Sequence, residues 1–251
     1  MKKVFVLIPL SILLVGCLNF KINLAFNLIG VYDDTVKLSK VSDDEKEIVF
    51  IPMHHVGTSL FYADVRKKID SLKQEGYFFY TELVKSDKKD TSTIRKMIKL
   101  TGIPFSKDKT PGYKNFIDSI YKGRVKLKKE IIDQPSNSGF GLDSTNSKKV
   151  DVTSKEIIDY YEKKYGNIIL EPCDFEKSFY EKTNCKSKTI TKKAKDDAIL
   201  DFRNANVVNT ILKDSHKKIA IIYGANHFKG IKEALVKQGF ETTQEIKIKA
   251  K

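Results

Sequence analysis

The chain has 251 residues, 41% of them hydrophobic and 31% charged, enough length and apolar content to bury a normal core. Its 46 Lys and Arg against 32 Asp and Glu give a formal charge of +14, a balance that ordinarily points to nucleic acid. The lysines are dispersed among Asp and Glu rather than banked on one element, and the chain opens with an export segment, so nucleic acid is excluded as a partner and the charge reads as solvated surface, with some attraction to anionic lipid headgroups.

Residues 1–16 read as a lipoprotein signal peptide. Lys2 and Lys3 form its charged end, Val4 to Val15 its apolar run, and Leu14-Val15-Gly16-Cys17 a lipobox whose cleavage leaves a lipidated Cys17 at the mature N-terminus. The alternatives are an ordinary secretory signal or an uncleaved anchor; the run is shorter than the ~20 residues that a span needs. Residues 17–30 are then an apolar lead-in on the extracytoplasmic side of a bacterial membrane, in the cell envelope, and loss of Lys2 and Lys3 leaves +12 (14 − 2). From 31 to 251 a single α/β domain is expected, with a variable central region at about 100–195.

Val31 to Val41 alternates over Thr35-Val36-Lys37-Leu38-Ser39-Lys40-Val41 like a half-buried strand; Ser42 to Lys46 is a polar turn, and Glu47 to Met53 a second strand, so a hairpin is expected. From Ser59 the spacing is helical, with Phe61, Val65, Ile69 and Leu72 on one stripe and Gly76 as the stop. Tyr77 to Val84 reads as a buried strand carrying Glu82, which completes a right-handed unit with parallel strands. Lys85 to Asp90 is loop, Thr91 to Leu100 a short helix, Gly102 to Gly112 loop with Pro104 and Pro111, Tyr113 to Leu127 helical, and Gln134 to Ser147 loop. A helix capped by Thr153 or Ser154 runs to Lys164 and stops at Gly166. Ala194 to Leu212 is helical, with Ile199, Phe202, Val207 and Ile211 as its stripe and Arg203 and Asn204 in its middle; His216 reads as surface.

Cys173 and Cys185 are an even pair, 12 apart, in an oxidising compartment. A disulfide there would contribute about 3 kcal/mol by the loop-entropy argument. The competing reading is a metal or nucleophile pair, though no His lies nearby in sequence.

One pattern is written twice. Ile48 to Ile51 is followed by Pro52-Met53-His54-His55, a helix and Leu72-Lys73-Gln74-Glu75-Gly76; Ile219 to Tyr223 is followed by Gly224-Ala225-Asn226-His227, a helix and Leu235-Val236-Lys237-Gln238-Gly239. Each is strand, polar tip with His, helix and Gly exit. Ligands of α/β sheets sit at the carboxyl ends of strands, so two such tips are expected to converge on one site. Gly224 permits close backbone approach, and His227 at a tip can bind metal or carry a proton near neutral pH.

These motifs, with Asp201-Phe202-Arg203-Asn204 before the last core strand and Glu82 after the first βα unit, resemble the TraB/GumN family. That family includes the PrgY pheromone-shutdown proteins and the TIKI proteases, with ChaN and erythromycin-esterase-like proteins as distant relatives. Its pattern is a His after the first strand, a Glu after the next, an Arg on the penultimate helix and G-x-x-H after the last core strand. All four occur here in order, from 47 to about 240, with a loose match in the middle. One departure is Pro52, where many members have Gly. The resemblance implies a mainly parallel sheet flanked by helices in two related strand–His–helix halves, and a site of His55, Glu82, Arg203 and His227. His54 adjoins His55; the register to Phe61-Tyr62 favours His55, and His54 is either a second ligand or points elsewhere. Gln134 and Asp151 fall where related sequences often show a polar pair.

Two His and a Glu, here His55, Glu82 and His227, suit a catalytic divalent ion (Mn, Co, Zn or Fe) that activates water, with Arg203 meeting an oxyanion or substrate carboxylate. A metal-free set also works, with His as base, Glu orienting it and Arg as electrophilic stabiliser. The resemblance thus implies a lipid-anchored extracytoplasmic hydrolase of a peptide, small ester or amide. The alternatives are a surface protein that sequesters a peptide signal, and an envelope protein that captures a ligand or metal.

Overall fold

A computed structural model describes residues 11–104, 113–114, 125–181, 185 and 190–246. They divide into two compact units: the first holds residues within 1–36, 54–65 and 112–134, the second those within 37–53, 66–111 and 135–251.

The second unit is built on a mixed, mostly parallel sheet. Its strands are β1 (Leu38–Ser42), β2 (Glu47–Met53), β4 (Phe78–Thr81), β6 (Ser147–Lys149), β7 (Lys218–Gly224) and β8 (Glu241–Ile246), in the order β6-β4-β7-β2-β1-β8. The pairs β6/β4, β4/β7 and β7/β2 are parallel, whereas β1 runs antiparallel to β2 and β8. The expected hairpin is therefore present, closed by Asp43, whose Oδ1 accepts the Glu45 and Lys46 N–H groups. Ile48 to Ile51 and Ile219 to Ile222 are buried along continuous apolar runs, as central parallel strands covered on both faces require. β7 inserts between β2 and β4, which are parallel but not neighbours.

Helices α2 (Ser59–Gln74), α3 (Thr91–Thr101), α4 (Ser154–Tyr165), α5 (Lys192–Asp196), α6 (Phe202–Lys213) and α7 (Ala225–Val236) carry the apolar stripes. Val207, Val208 and Ile211 of α6 and Ile231 and Leu235 of α7 pack on Phe50, Tyr80, Ile219, Ile221 and Tyr223 of the sheet. Each such side chain contributes roughly 1.5–3 kcal/mol on burial. A second cluster joins Leu100, Ile157, Ile158, Tyr161, Ala194 and Ala198. α4 begins as its sequence requires: Thr153 and Glu156 form a reciprocal capping box, and Gly166 at φ +91 ends it. α5 and α6 are not one regular helix, because a π turn at Asp197–Asp201 separates them just before Arg203.

Two strands lie where periodicity is silent. β6 follows a 3₁₀ turn, Ser138–Phe140, in the Ser/Asn-rich stretch, and β8 is a polar edge strand. Most of the helix expected over Tyr113 to Leu127 lies outside the described residues. Cys173 and Cys185 form a disulfide with Cα atoms 5.7 Å apart.

In the first unit, α1 (Ser11–Leu28) and the strand pair β3 (Val56–Gly57) and β5 (Ile132–Asp133) surround Val31, Tyr32, Val56 and Ile131. No helix among the described residues is long and apolar enough to cross a membrane.

Candidate functional site

The carboxyl ends of three neighbouring parallel strands supply the polar residues of the second unit. Glu82 follows β4, Asp151 lies two residues beyond β6, and Gly224 ends β7. α6 contributes Arg203 and Asn204, and the first turn of α7 contributes His227. These side chains meet.

Arg203, 6% exposed, is the centre. Its Nε donates to Asp151 Oδ1 at 2.9 Å and its Nη2 to Asp151 Oδ2 at 2.5 Å, a bidentate pair. Nη2 also donates to Glu82 Oε1 at 2.6 Å; Nη1 donates to the Ile199 carbonyl of the π turn at 3.3 Å and faces His227 Nε2 at 3.1 Å. All five guanidinium N–H groups thus have acceptors inside the protein. Since a guanidinium only donates, His227 Nε2 is the acceptor of that contact. Nδ1 then carries the proton and donates to Asn204 Oδ1 at 2.7 Å. The second oxygen of Glu82 accepts the Gly224 N–H at 2.6 Å. A Cβ on residue 224 would come within 3.2 Å of that oxygen, a tight contact that glycine avoids.

The electrostatics follow from this packing. Burial pushes the Glu82 carboxyl up, but the positive charge of Arg203, its hydrogen bond and the Gly224 N–H outweigh it and hold the group below the usual carboxylate range. Burial likewise disfavours charged Arg203, and Asp151 and Glu82 more than compensate, so it stays protonated. Glu82, with 22% of its side chain exposed, is the member that reaches solvent; Asp151, Arg203 and His227 are at 0, 7 and 5%.

Tyr223 completes the cluster. Its ring meets His227 edge-on at 5.5 Å, and its hydroxyl is, among the described residues, the buried side-chain polar atom without a hydrogen-bond partner. Burial and the negative charges of Asp151 and Glu82 raise its pKa, so it remains an O–H donor lacking an acceptor. Gly230 of α7 also belongs here, because a Cβ there would come within 2.4 Å of Asn204 Nδ2. No sequence signal marks either residue; an aromatic in a buried strand and a glycine in a helix both read as packing.

Glu82, Arg203, His227, Asn204 and Gly224 are thus brought together, with Asp151 beside them. His54 and His55 lie in the first unit. The His55 ring stacks on Tyr113 at 4.1 Å, and its carbonyl accepts the Gln134 N–H at 2.9 Å. The half-buried His54 ring lies against Phe61, its carbonyl accepts the Tyr62 hydroxyl at 2.7 Å, and burial lowers its pKa against the opposing charge of Asp33.

The fit to a metal can be judged from the donors in the second unit. His227 Nε2 and Glu82 Oε1 are 3.7 Å apart and share one guanidinium, whose nitrogens stand 3.1 and 2.6 Å from them. A cation already sits between the two ligand atoms, so this pair fits Arg203 rather than a divalent ion. Elsewhere in the described residues Glu171, Cys173, Asp174 and Cys185 place ligand atoms within 4.8 Å of one another. The disulfide removes both thiolates there, and the buried Lys99 ammonium pairs with Asp174 at 2.6 Å and Glu171 at 3.3 Å, which makes this cluster a structural ion-pair knot.

No family model, no curated protein and no solved structure matches this chain. The resemblance to the TraB/GumN pattern therefore rests on the motif residues themselves.

Proposed function

We propose that the chain is a lipid-anchored, extracytoplasmic hydrolase of the TraB/GumN type, acting without a metal on a peptide, ester or amide carbonyl. The observation that carries this reading is the convergence of Glu82, Asp151, Arg203 and His227 at the ends of β4, β6 and β7, with Glu82 alone reaching solvent. Glu82 is the base candidate for an attacking water. Arg203 holds its pKa low and so keeps it a weak base at rest. A substrate carbonyl oxygen that gathers negative charge at Arg203 Nη2 would compete for that donor and loosen its grip on Glu82. Basicity would then rise as the oxyanion forms. Asp151 holds the guanidinium in plane throughout.

A second reading is favoured by one observation: every donor of Arg203 is already satisfied internally. A guanidinium with no donor to spare for a developing oxyanion suits a protein that captures a peptide or small ligand without turnover. The test is a panel of peptide, ester and amide substrates with the full chain and its Glu82→Gln variant. Turnover lost by 100-fold or more in Glu82→Gln, with binding retained, supports the hydrolase. Tight peptide binding that Glu82→Gln leaves intact, with no turnover in either protein, favours capture.

A further inference from the structure

The first unit presents an apolar stripe that the candidate site does not use. On α1, Phe20, Leu24 and Leu28 are 68, 44 and 74% exposed, and Ile29 beyond the helix is 58% exposed. At 100° per residue the three helical positions lie on one face. The opposite face is anchored: Ile22 is buried, Phe26 packs on the Val31, Tyr32, Val56 and Ile131 cluster, and Asn19 and Asn23 hold a neighbouring strip of chain. Asn19 Oδ1 accepts the Lys126 N–H at 2.9 Å, Asn23 Nδ2 donates to the Lys126 carbonyl at 2.9 Å, and Asn23 Oδ1 accepts the Lys128 N–H at 2.6 Å.

This arrangement sets charge beside the stripe. Exposed Lys21 follows Leu28 around the helix on one side, while Asn19 and Asn23, with exposed Lys126 and Lys128 attached to them, lie on the other. An exposed apolar stripe flanked by exposed lysines is the pattern of a helix lying in a membrane interface. Cys17 stands on the same helix, one turn before Phe20.

We infer that the Phe20-Leu24-Leu28 face of α1 is a membrane-contact surface, seated in an anionic lipid interface with Lys21, Lys126 and Lys128 at the headgroups. The inference rests on the anchor reading of Cys17 and extends it: the acyl chains hold the protein at the bilayer, and the stripe fixes which side of the first unit faces the lipid. A peptide groove on this face is disfavoured, because a convex helix stripe offers no concavity to hold one.

The chain contains no Trp, so a single introduced indole is a clean reporter. Full-length protein carrying Leu24→Trp or Leu28→Trp is reconstituted in phosphatidylcholine vesicles with phosphatidylglycerol and brominated acyl chains, with Phe26→Trp on the packed face as reference. The expected result is a blue-shifted emission quenched at least twofold by bromine for Leu24→Trp and Leu28→Trp, with much weaker quenching for Phe26→Trp. Bound protein whose stripe reporters keep a water-like, unquenched emission would overturn the proposal. Equal quenching of all three would also overturn it, since it would mean a helix immersed in lipid. Quenching that ignores phosphatidylglycerol and salt would overturn the role of the lysines. Mass analysis of Cys17 separates this from the anchor: if the residue carries no acyl chain, a quenched stripe reporter on adding vesicles still supports the surface, and an unchanged reporter sinks it.

Discussion

The two strand–His–helix segments are nearly the same sentence in sequence and come to different ends in the fold. β2 and β7 are adjacent and parallel, aligned so that Met53 pairs with Gly224. After β7 the helix starts at once, and His227 falls in the first turn of α7, 4% exposed, with both ring nitrogens engaged. After β2, five residues intervene before α2, and they form β3 and the Thr58 hydroxyl that accepts the Phe61 N–H. His54 and His55 are spent in that connection, within the first unit. His227 is held by the first turn of its helix, whereas His54 and His55 precede theirs by five and four residues. Gly224 at the β7–α7 junction leaves room for the Glu82 carboxylate to come close to its N–H.

The largest effect expected on the His227 side comes from Arg203→Ala. It leaves buried Asp151 and half-buried Glu82 without their cation, and breaking such a pair costs about 3–5 kcal/mol. Denaturant unfolding measures it, and a loss under 1 kcal/mol would show that the cluster does not hold the fold. His227→Ala strands a guanidinium N–H and the Asn204 carbonyl and should cost about 1–3 kcal/mol, whereas His55→Ala, an exposed side chain, should stay within about 1 kcal/mol. Equal losses would erase the contrast between the two segments. Gly230→Ala should cost about 1–3 kcal/mol by driving Asn204 off His227, and it should shift the His227 ring resonances while leaving those of His55 in place.

Acid sharpens the contrast further. Glu82 is held below the ordinary carboxylate range, so its contribution to stability is complete above that range and disappears as pH falls through its depressed folded value. Glu82→Gln should therefore flatten the acid limb of the stability–pH profile. Asp214 supplies an independent share, since Lys148, Tyr80 and His216 outweigh its burial and lower its carboxyl too; Asp214→Asn should remove that share additively. The smallest effect is Tyr223→Phe. Removing a hydroxyl with no partner should leave stability unchanged or raise it by up to about 1 kcal/mol, measured by thermal unfolding.

Glu82, Arg203 and His227 were legible because their strand and helix contexts are strongly patterned: Ile219 to Ile222 and the stripe of α6 leave little choice of element. Asp151 was legible only as a polar residue in the central region, because β6, the strand that delivers it, is three residues of Ser and Lys whose place comes from pairing with Phe79 to Thr81. β8 escaped for a related reason: Glu241-Thr242-Thr243-Gln244-Glu245 has no apolar alternation, and its partner β1 defines it. The π turn is a local mismatch within a sound helical stripe, which periodicity averages away. The division into two units was not legible either, since the segment from His54 to Val65 continues the pattern of its neighbours without a linker.

The account turns on Arg203 standing between Glu82 and His227, and metal analysis of the full chain produced in medium supplied with Mn, Co, Zn and Fe tests that most directly. The prediction is a substoichiometric metal content that His227→Ala, Glu82→Gln and His55→Ala leave unchanged. One equivalent of a divalent metal, lost in all three variants, would contradict it and make His55, Glu82 and His227 the ligands of a metallohydrolase.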